Sequence, residues 1–376
     1  MLDVLVHIAF VLTGVVTTFL GPLLPALAAH WRLTDAQSGF FFTAQFMGSL
    51  AGASLTGLIL PRRGFRFTLV LGYLFMAAGT RGLLLTEWRM ALISTVVYGV
   101  GLGLAIPASN LLISARNPRR RAAALSLLNL CWGLGAVTAP LMVAVAARRG
   151  SLWRSLATLA LVLLVLCVVI SIAPPRGAEA PSAHSRGRWR NVTGWKFVAA
   201  VAAMFFLYVG TETSLSGWSA MLMERLPIDL ASAWLPAPTA FWSGLVIGRG
   251  IAPLVLRRLS ERSTAVAGLA AALLATAVLM VTMSRQWLLV AIFIAGLGLA
   301  AVFPITVALL SHFGEMEQRI AGVMFAMAGL GGAILPWSVG MISTAHRSLQ
   351  FALAVPLVAG AVLLSLHARS RNFGPN

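Results

Sequence analysis

Gly101-Leu102-Gly103-Leu104-Ala105 and Gly296-Leu297-Gly298-Leu299-Ala300 are one pentapeptide written twice in the same chain. A proline follows each copy, with a serine seven residues beyond it: Pro107 and Ser114, then Pro304 and Ser311. Moving outward at an offset near 196 extends the match. Gly14, Thr17 and Gly21 return as Gly210, Thr213 and Gly217. Gly133-Leu134-Gly135 with Pro140 returns as Gly329-Leu330-Gly331 with Pro336, and Arg62-Arg63 returns as Arg257-Arg258. Glycine-rich apolar segments match by chance, so a single pair decides nothing. Five pairs in one order at nearly one offset define an internal repeat.

The composition says what kind of segment is repeated. Apolar residues are 59% of the 376-residue chain and charged residues only 10%, too few to cover the surface of a water-soluble protein of this length. The charges are clustered, and between them run apolar stretches of roughly 17–25 residues, the length that crosses a bilayer core. Helices are expected near 4–29, 36–60, 68–86, 91–115, 122–146, 153–173, 196–222, 237–256, 263–283, 286–311, 318–342 and 349–367. The expected fold is an all-α membrane protein of twelve transmembrane helices in two pseudo-symmetric six-helix bundles. Residues 1–173 form the N-terminal bundle, 174–195 a cytoplasmic linker and 196–376 the C-terminal bundle. Six helices per half give the halves the same orientation, a parallel repeat.

A net charge of +18 suggests nucleic acid until its distribution is read. With both termini cytoplasmic, eighteen Arg and Lys fall in cytoplasmic segments, eight in outer loops, and two, Arg81 and Arg249, inside spans. That split follows the positive-inside rule, so the basic balance is topological and no nucleic-acid partner is expected. Lys196 stands alone against 27 arginines, a codon bias that points to a GC-rich bacterial genome and hence to the cytoplasmic (inner) membrane. Cys131 and Cys167 lie within spans, which argues against a disulfide. No cleavable signal peptide is read at the start, and Asn191-Val192-Thr193 is a sequon on the wrong side for glycosylation.

Gly57-Leu58-Ile59-Leu60-Pro61-Arg62-Arg63-Gly64-Phe65-Arg66 resembles the signature loop between helices two and three of the major facilitator superfamily. The repeat extends that resemblance over nearly the whole chain. It implies a transporter whose halves rock about a central site, with Arg62, Arg63, Arg66 and Arg249 as gating residues. Pro61 stands where the family usually has an aspartate of the gating network, so that contact does not carry over. Tyr208-Val209-Gly210-Thr211-Glu212-Thr213-Ser214-Leu215-Ser216-Gly217-Trp218 resembles helix seven of fucose/glucose permease-like members, as do Phe241-Trp242-Ser243-Gly244 and Phe303-Pro304. The resemblance implies monosaccharide transport, often proton-driven. Fucose permeases carry acids in helices one and four where this chain offers Val16 and Asn110, so their coupling scheme does not transfer.

Glu212 is the acid read as lying in a helix interior; Asp3, Asp35, Glu87, Glu224 and Asp229 fall near span ends or in loops. A carboxylate in hydrocarbon is costly and usually faces a cavity where it does work, so Glu212 is the candidate proton or sodium site, or a substrate acceptor. The alternative is a structural anchor between helices. Tyr208, Glu212 and Ser216 share a helix face at i, i+4 and i+8, and Trp218 sits further round, lining the cavity or anchoring at the outer interface. A polar and aromatic stripe suits a sugar, whose hydroxyls need partners while its C–H face packs on a ring. Gln45, Asn110 and Asn129, read as buried amides, add donor and acceptor capacity, and Trp132 follows Asn129 at i+3. Interhelical bonding is the competing use of these amides. Arg81 either snorkels to the outer surface, pairs with an acid or contacts an anionic substrate. The histidines show no metal-ligand spacing, and neither a nucleotide loop nor a nucleophile constellation is present, so no cofactor and no enzyme activity are expected. The reading is a secondary transporter for a small polar solute, a monosaccharide first. Its rivals are efflux of amphipathic drugs or lipids and a non-transporting membrane receptor.

Overall fold

The computed structural model describes residues 2–84, 87–172, 195–227, 236–310 and 317–369, and among them every regular element is helical. In chain order these are α1 (Leu2–Thr18), α2 (Leu20–Trp31), α3 (Asp35–Gly82), α4 (Trp88–Arg116), α5 (Arg121–Arg148), α6 (Leu152–Ile172) and α7 (Trp195–Glu224). They continue as α8 (Ala237–Val255), α9 (Glu261–Val281), α10 (Arg285–Leu299), α11 (Val302–Ala308), α12 (Glu317–His346), α13 (Leu349–Ala352) and α14 (Ala354–Arg369). Helix is what hydrocarbon demands, because every backbone N–H and C=O must find its partner inside the segment. Large apolar side chains accordingly face outward: Leu161, Val165 and Val168 of α6 are all more than half exposed, a pattern suited to lipid and unsuited to water.

Among the described residues nine helices are long and apolar enough to cross a membrane, and the bent pair α1/α2, taken as one span, makes ten. Helix α3, at 48 residues, would be about 72 Å long, over twice the hydrocarbon thickness. It is broken at Gly64, whose φ of 75° takes the chain out of helix beside Arg62, Arg63 and Arg66. That supplies the eleventh span, and α8, with 19 residues, the twelfth. The twelve-span all-helical membrane fold is the one expected.

Three spans depart from the continuous helices expected at 4–29, 286–311 and 349–367. The first bends by 43° at Phe19, the tenth breaks at Ala300–Ala301 and the last at Leu353. Each break lies three or four residues before a proline: Pro22, Pro304 and Pro356. A proline lacks the N–H for the carbonyl four residues earlier, and its ring crowds that carbonyl, so the helix opens there. Pro25, Pro107, Pro140 and Pro336 are carried inside helices without a break.

The chain divides into two compact units, one of Met1–Arg32 with Phe40–Ser185, the other of Leu33–Gly39 with Arg186–Asn376. Of the expected linker 174–195, only Trp195, which opens α7, is among the described residues, and the sequon at Asn191 lies outside them. Each unit uses the same glycines for helix contact. In the first, a Cβ on Gly135 of α5 would stand 2.0 Å from the Val11 carbonyl of α1; in the second, a Cβ on Gly331 of α12 would stand 1.9 Å from that of Phe206 of α7. Gly99 packs against the Gln45 carbonyl and Gly101 against that of Gly72; Gly296 packs against Phe241 and Gly298 against Gly268. By contact, therefore, Gly296 and Gly298 correspond to Gly99 and Gly101. The pentapeptide that matches by letters is out of register with the fold by two residues, whereas Pro107 and Pro304 match in both.

Candidate functional site

The second unit assembles the charged cluster. Glu212 lies near the middle of the 30-residue α7, and Tyr208, one turn earlier and fully buried, donates its O–H to Glu212 Oε1 over 3.1 Å. Arg249 reaches the same oxygen from α8, its Nη2 at 3.8 Å. That separation is within ion-pair range but too long for a hydrogen bond. The side chains of Glu212 and Arg249 are 14% and 32% exposed, and Arg249 Nε is buried without a hydrogen-bond partner. Two buried α7 hydroxyls, Thr211 Oγ1 and Ser214 Oγ, also lack partners.

An aromatic wall adjoins the cluster. The Tyr208 ring lies 5.2 Å from Phe303 of α11, which meets Phe205 at 5.6 Å edge-on, and Phe325 of α12 closes the group at 5.6 Å from Phe205. Phe303 is placed by the break that Pro304 imposes. Local sequence thus sets a polar pole and an aromatic pole one helical turn apart.

The remaining candidates are disposed differently. Ser216 turns its hydroxyl back to the Glu212 carbonyl at 2.8 Å, a bond within its own helix. Trp218 neither lines a cavity nor anchors at an interface: it is fully buried, and its indole N–H donates to the Pro336 carbonyl of α12 at 2.8 Å. Trp218→Phe should lower the thermal stability of the purified protein by about 1 kcal/mol for that bond, more if the smaller ring leaves a cavity. Unchanged melting of the variant would show that the bond contributes nothing.

In the first unit, Gln45 is buried with both ends used, donating to the Thr17 carbonyl at 3.1 Å and accepting from Tyr98 O–H at 2.9 Å. Asn110, half-buried, and Asn129 each donate to a carbonyl of their own helix, Ile106 and Leu125. Asn129 is exposed rather than buried as expected. Trp132 is half-buried and its backbone is pressed against Gly14. Among the expected gating arginines, Arg62 is exposed and reaches the Leu58 carbonyl, Arg63 lies over Phe67 at 5.8 Å, and Arg66 reaches the Ser171 carbonyl of α6. Arg81 is exposed in the last turn of α3.

Sequence reading passed over several ties. In the second unit Asp35 accepts from Arg225 at 2.5 Å and from the Ser343 hydroxyl, while Ala36 N–H donates to Thr344 Oγ1 at 2.8 Å. In the first, Asp3 pairs with Arg116 at 2.6 Å, and the fully buried Tyr73 bonds to Thr13 at 3.1 Å. No spacing rule connects these residues; the visible signal was only that scarce acids sit at span ends.

Comparison with known proteins agrees with this architecture. The glucose/mannose transporter GlcP of Bacillus subtilis (strain 168) is 25% identical over 345 residues, covering 88% of this chain and 85% of that protein. The multidrug efflux protein YfmO of the same organism is also 25% identical, over 353 residues, 91% of this chain and 85% of that one. A crystal structure of the E. coli fucose:proton symporter FucP superposes with a TM-score of 0.67 at 16% identity, covering 100% of this chain and 98% of the other. The sequence model of the Major Facilitator Superfamily matches residues 6–369. An all-helical chain of long apolar helices, two units built on the same glycine contacts and a match along nearly the whole length place this membrane transporter in the Major Facilitator Superfamily.

Proposed function

We propose that the protein is a secondary transporter that carries a monosaccharide by alternating access, with Tyr208, Glu212 and Arg249 at its polar site and a proton as coupling ion. The observation that carries this reading is the Glu212 carboxylate, mid-span in α7, held by a phenol and facing a guanidinium. Membrane-buried charge of this cost is a functional feature by default. The relative GlcP, named for glucose and mannose, supports the sugar class.

A second reading, efflux of amphipathic compounds, is favoured by the aromatic wall of Phe205, Phe303 and Phe325 and by the relative YfmO, named for multidrug efflux. Counterflow separates the two. Proteoliposomes preloaded with unlabelled hexose should accumulate labelled hexose transiently and saturably. Extrusion of a lipophilic dye with no hexose exchange would replace the sugar reading by the second.

A further inference from the structure

Arg249 and Glu212 meet more loosely than a neutralising ion pair does. A guanidinium kept only to neutralise a buried carboxylate makes short, paired hydrogen bonds to it. Here the closest approach is 3.8 Å, the carboxylate oxygen involved already accepts from Tyr208, and Arg249 Nε is buried with no acceptor. Buried donors are nearly always satisfied, so a guanidinium with an open N–H marks a place for an oxygen that comes and goes. A fork of N–H groups fits a carboxylate, which offers two oxygens at the matching spacing.

From this geometry we infer that the transported monosaccharide carries a carboxylate, as a uronate or aldonate does, and that it enters together with a proton that resides on Glu212. The inference rests on the sugar reading above and narrows it. With Glu212 ionised, the two side chains sum to zero, and an incoming carboxylate meets a negative charge beside its site. With a proton from the aqueous phase on Glu212, the local charge becomes +1 and Arg249 is free to turn its fork to the substrate. Arg249 and Tyr208 are the charged or titratable groups that act on Glu212 among the described residues; Arg285 of α10, His346 of α12 and His367 and Arg369 of α14 lie towards helix ends. Tyr208 keeps its hydrogen bond in either state by rotating its O–H. The half-buried Phe303 ring, backed by Tyr208 at 5.2 Å, gives the sugar's C–H face a surface. One anion and one proton cross together, so the cycle moves no net charge.

The test uses the full chain in proteoliposomes with labelled D-glucuronate, D-gluconate and D-glucose. Glucuronate or gluconate should exchange saturably and accumulate more than tenfold when the inside is alkaline. Imposing a potassium diffusion potential with valinomycin at equal pH should change uptake less than twofold, because transport is electroneutral. Arg249→Gln should lower sugar-acid exchange at least tenfold; if that variant does not fold, the potential measurement on the wild-type chain still decides. Exchange of glucose with none of either acid would overturn the inference and leave the sugar reading standing. Exchange of none of the three would remove both. Sugar-acid uptake that follows the membrane potential would overturn the proton–anion pairing.

Discussion

Gly331→Leu should leave almost no folded protein in the membrane. The first atom added to Gly331 would lie 1.9 Å from the Phe206 carbonyl oxygen and 2.7 Å from its carbon, and both belong to backbone. Backbone does not swing aside as a side-chain end does, so α7 and α12 must separate. Tyr208, Glu212 and the Trp218 bond to Pro336 all sit on the helix that is pushed away. Overpacking of this kind typically costs about 1–3 kcal/mol, and more where backbone is the obstacle. In hydrocarbon no solvent-driven force restores the contact, since helix association there depends on close packing of small residues. Gly135→Leu, with its Cβ 2.0 Å from the Val11 carbonyl, should fail equally, whereas Gly329→Leu, with nothing within 4 Å, should fold. Size-exclusion profiles of fluorescent fusions in mild detergent measure all three. A monodisperse peak for Gly331→Leu at the wild-type level would disprove this account of the α7–α12 contact.

The same glycines show how far the sequence could be read. Their repetition at one offset announced two similar bundles, because helices in lipid approach closely only where side chains are smallest. Glu212 was legible for an energetic reason, being a rare acid far from either end of its span, and Tyr208 followed by helical spacing alone. What stayed hidden was pairing between helices. Arg249 is 37 positions from Glu212, and Ser343 is 308 from Asp35; nothing local records that either pair meets. Proline was visible but ambiguous: the prolines at 22, 304 and 356 open their helices, while those at 107, 140 and 336 do not. The letter alone does not separate the two groups. The amides are ambiguous for a related reason, since Asn110 and Asn129 each spend an N–H on a carbonyl of their own helix. Donor capacity is a property of the residue, and availability a property of the packing.

Glu212→Gln should abolish accumulation against a gradient while leaving exchange in place. Glutamine preserves the shape and still accepts from Tyr208 O–H, so the local bond at 3.1 Å survives. It carries no exchangeable proton and no charge, so the site is fixed in the state that protonated Glu212 would give. The carrier can then load and return with substrate bound on both sides, which is exchange, but it has no way to tie an empty return to deprotonation. Labelled substrate in pH-jumped proteoliposomes should fall from more than tenfold accumulation to equilibrium, and exchange should lose its dependence on pH. Glu212→Ala differs, because it also strips Arg249 of its counter-charge. Breaking one partner of a buried pair costs about 3–5 kcal/mol, and with Arg249 32% exposed the lower end or less applies. Glu212→Ala should therefore melt below both the wild type and Glu212→Gln, and adding Arg249→Gln to Glu212→Ala should recover part of the loss. Undiminished proton-driven accumulation by Glu212→Gln would remove Glu212 from the coupling path and leave the pair as a structural tie between α7 and α8.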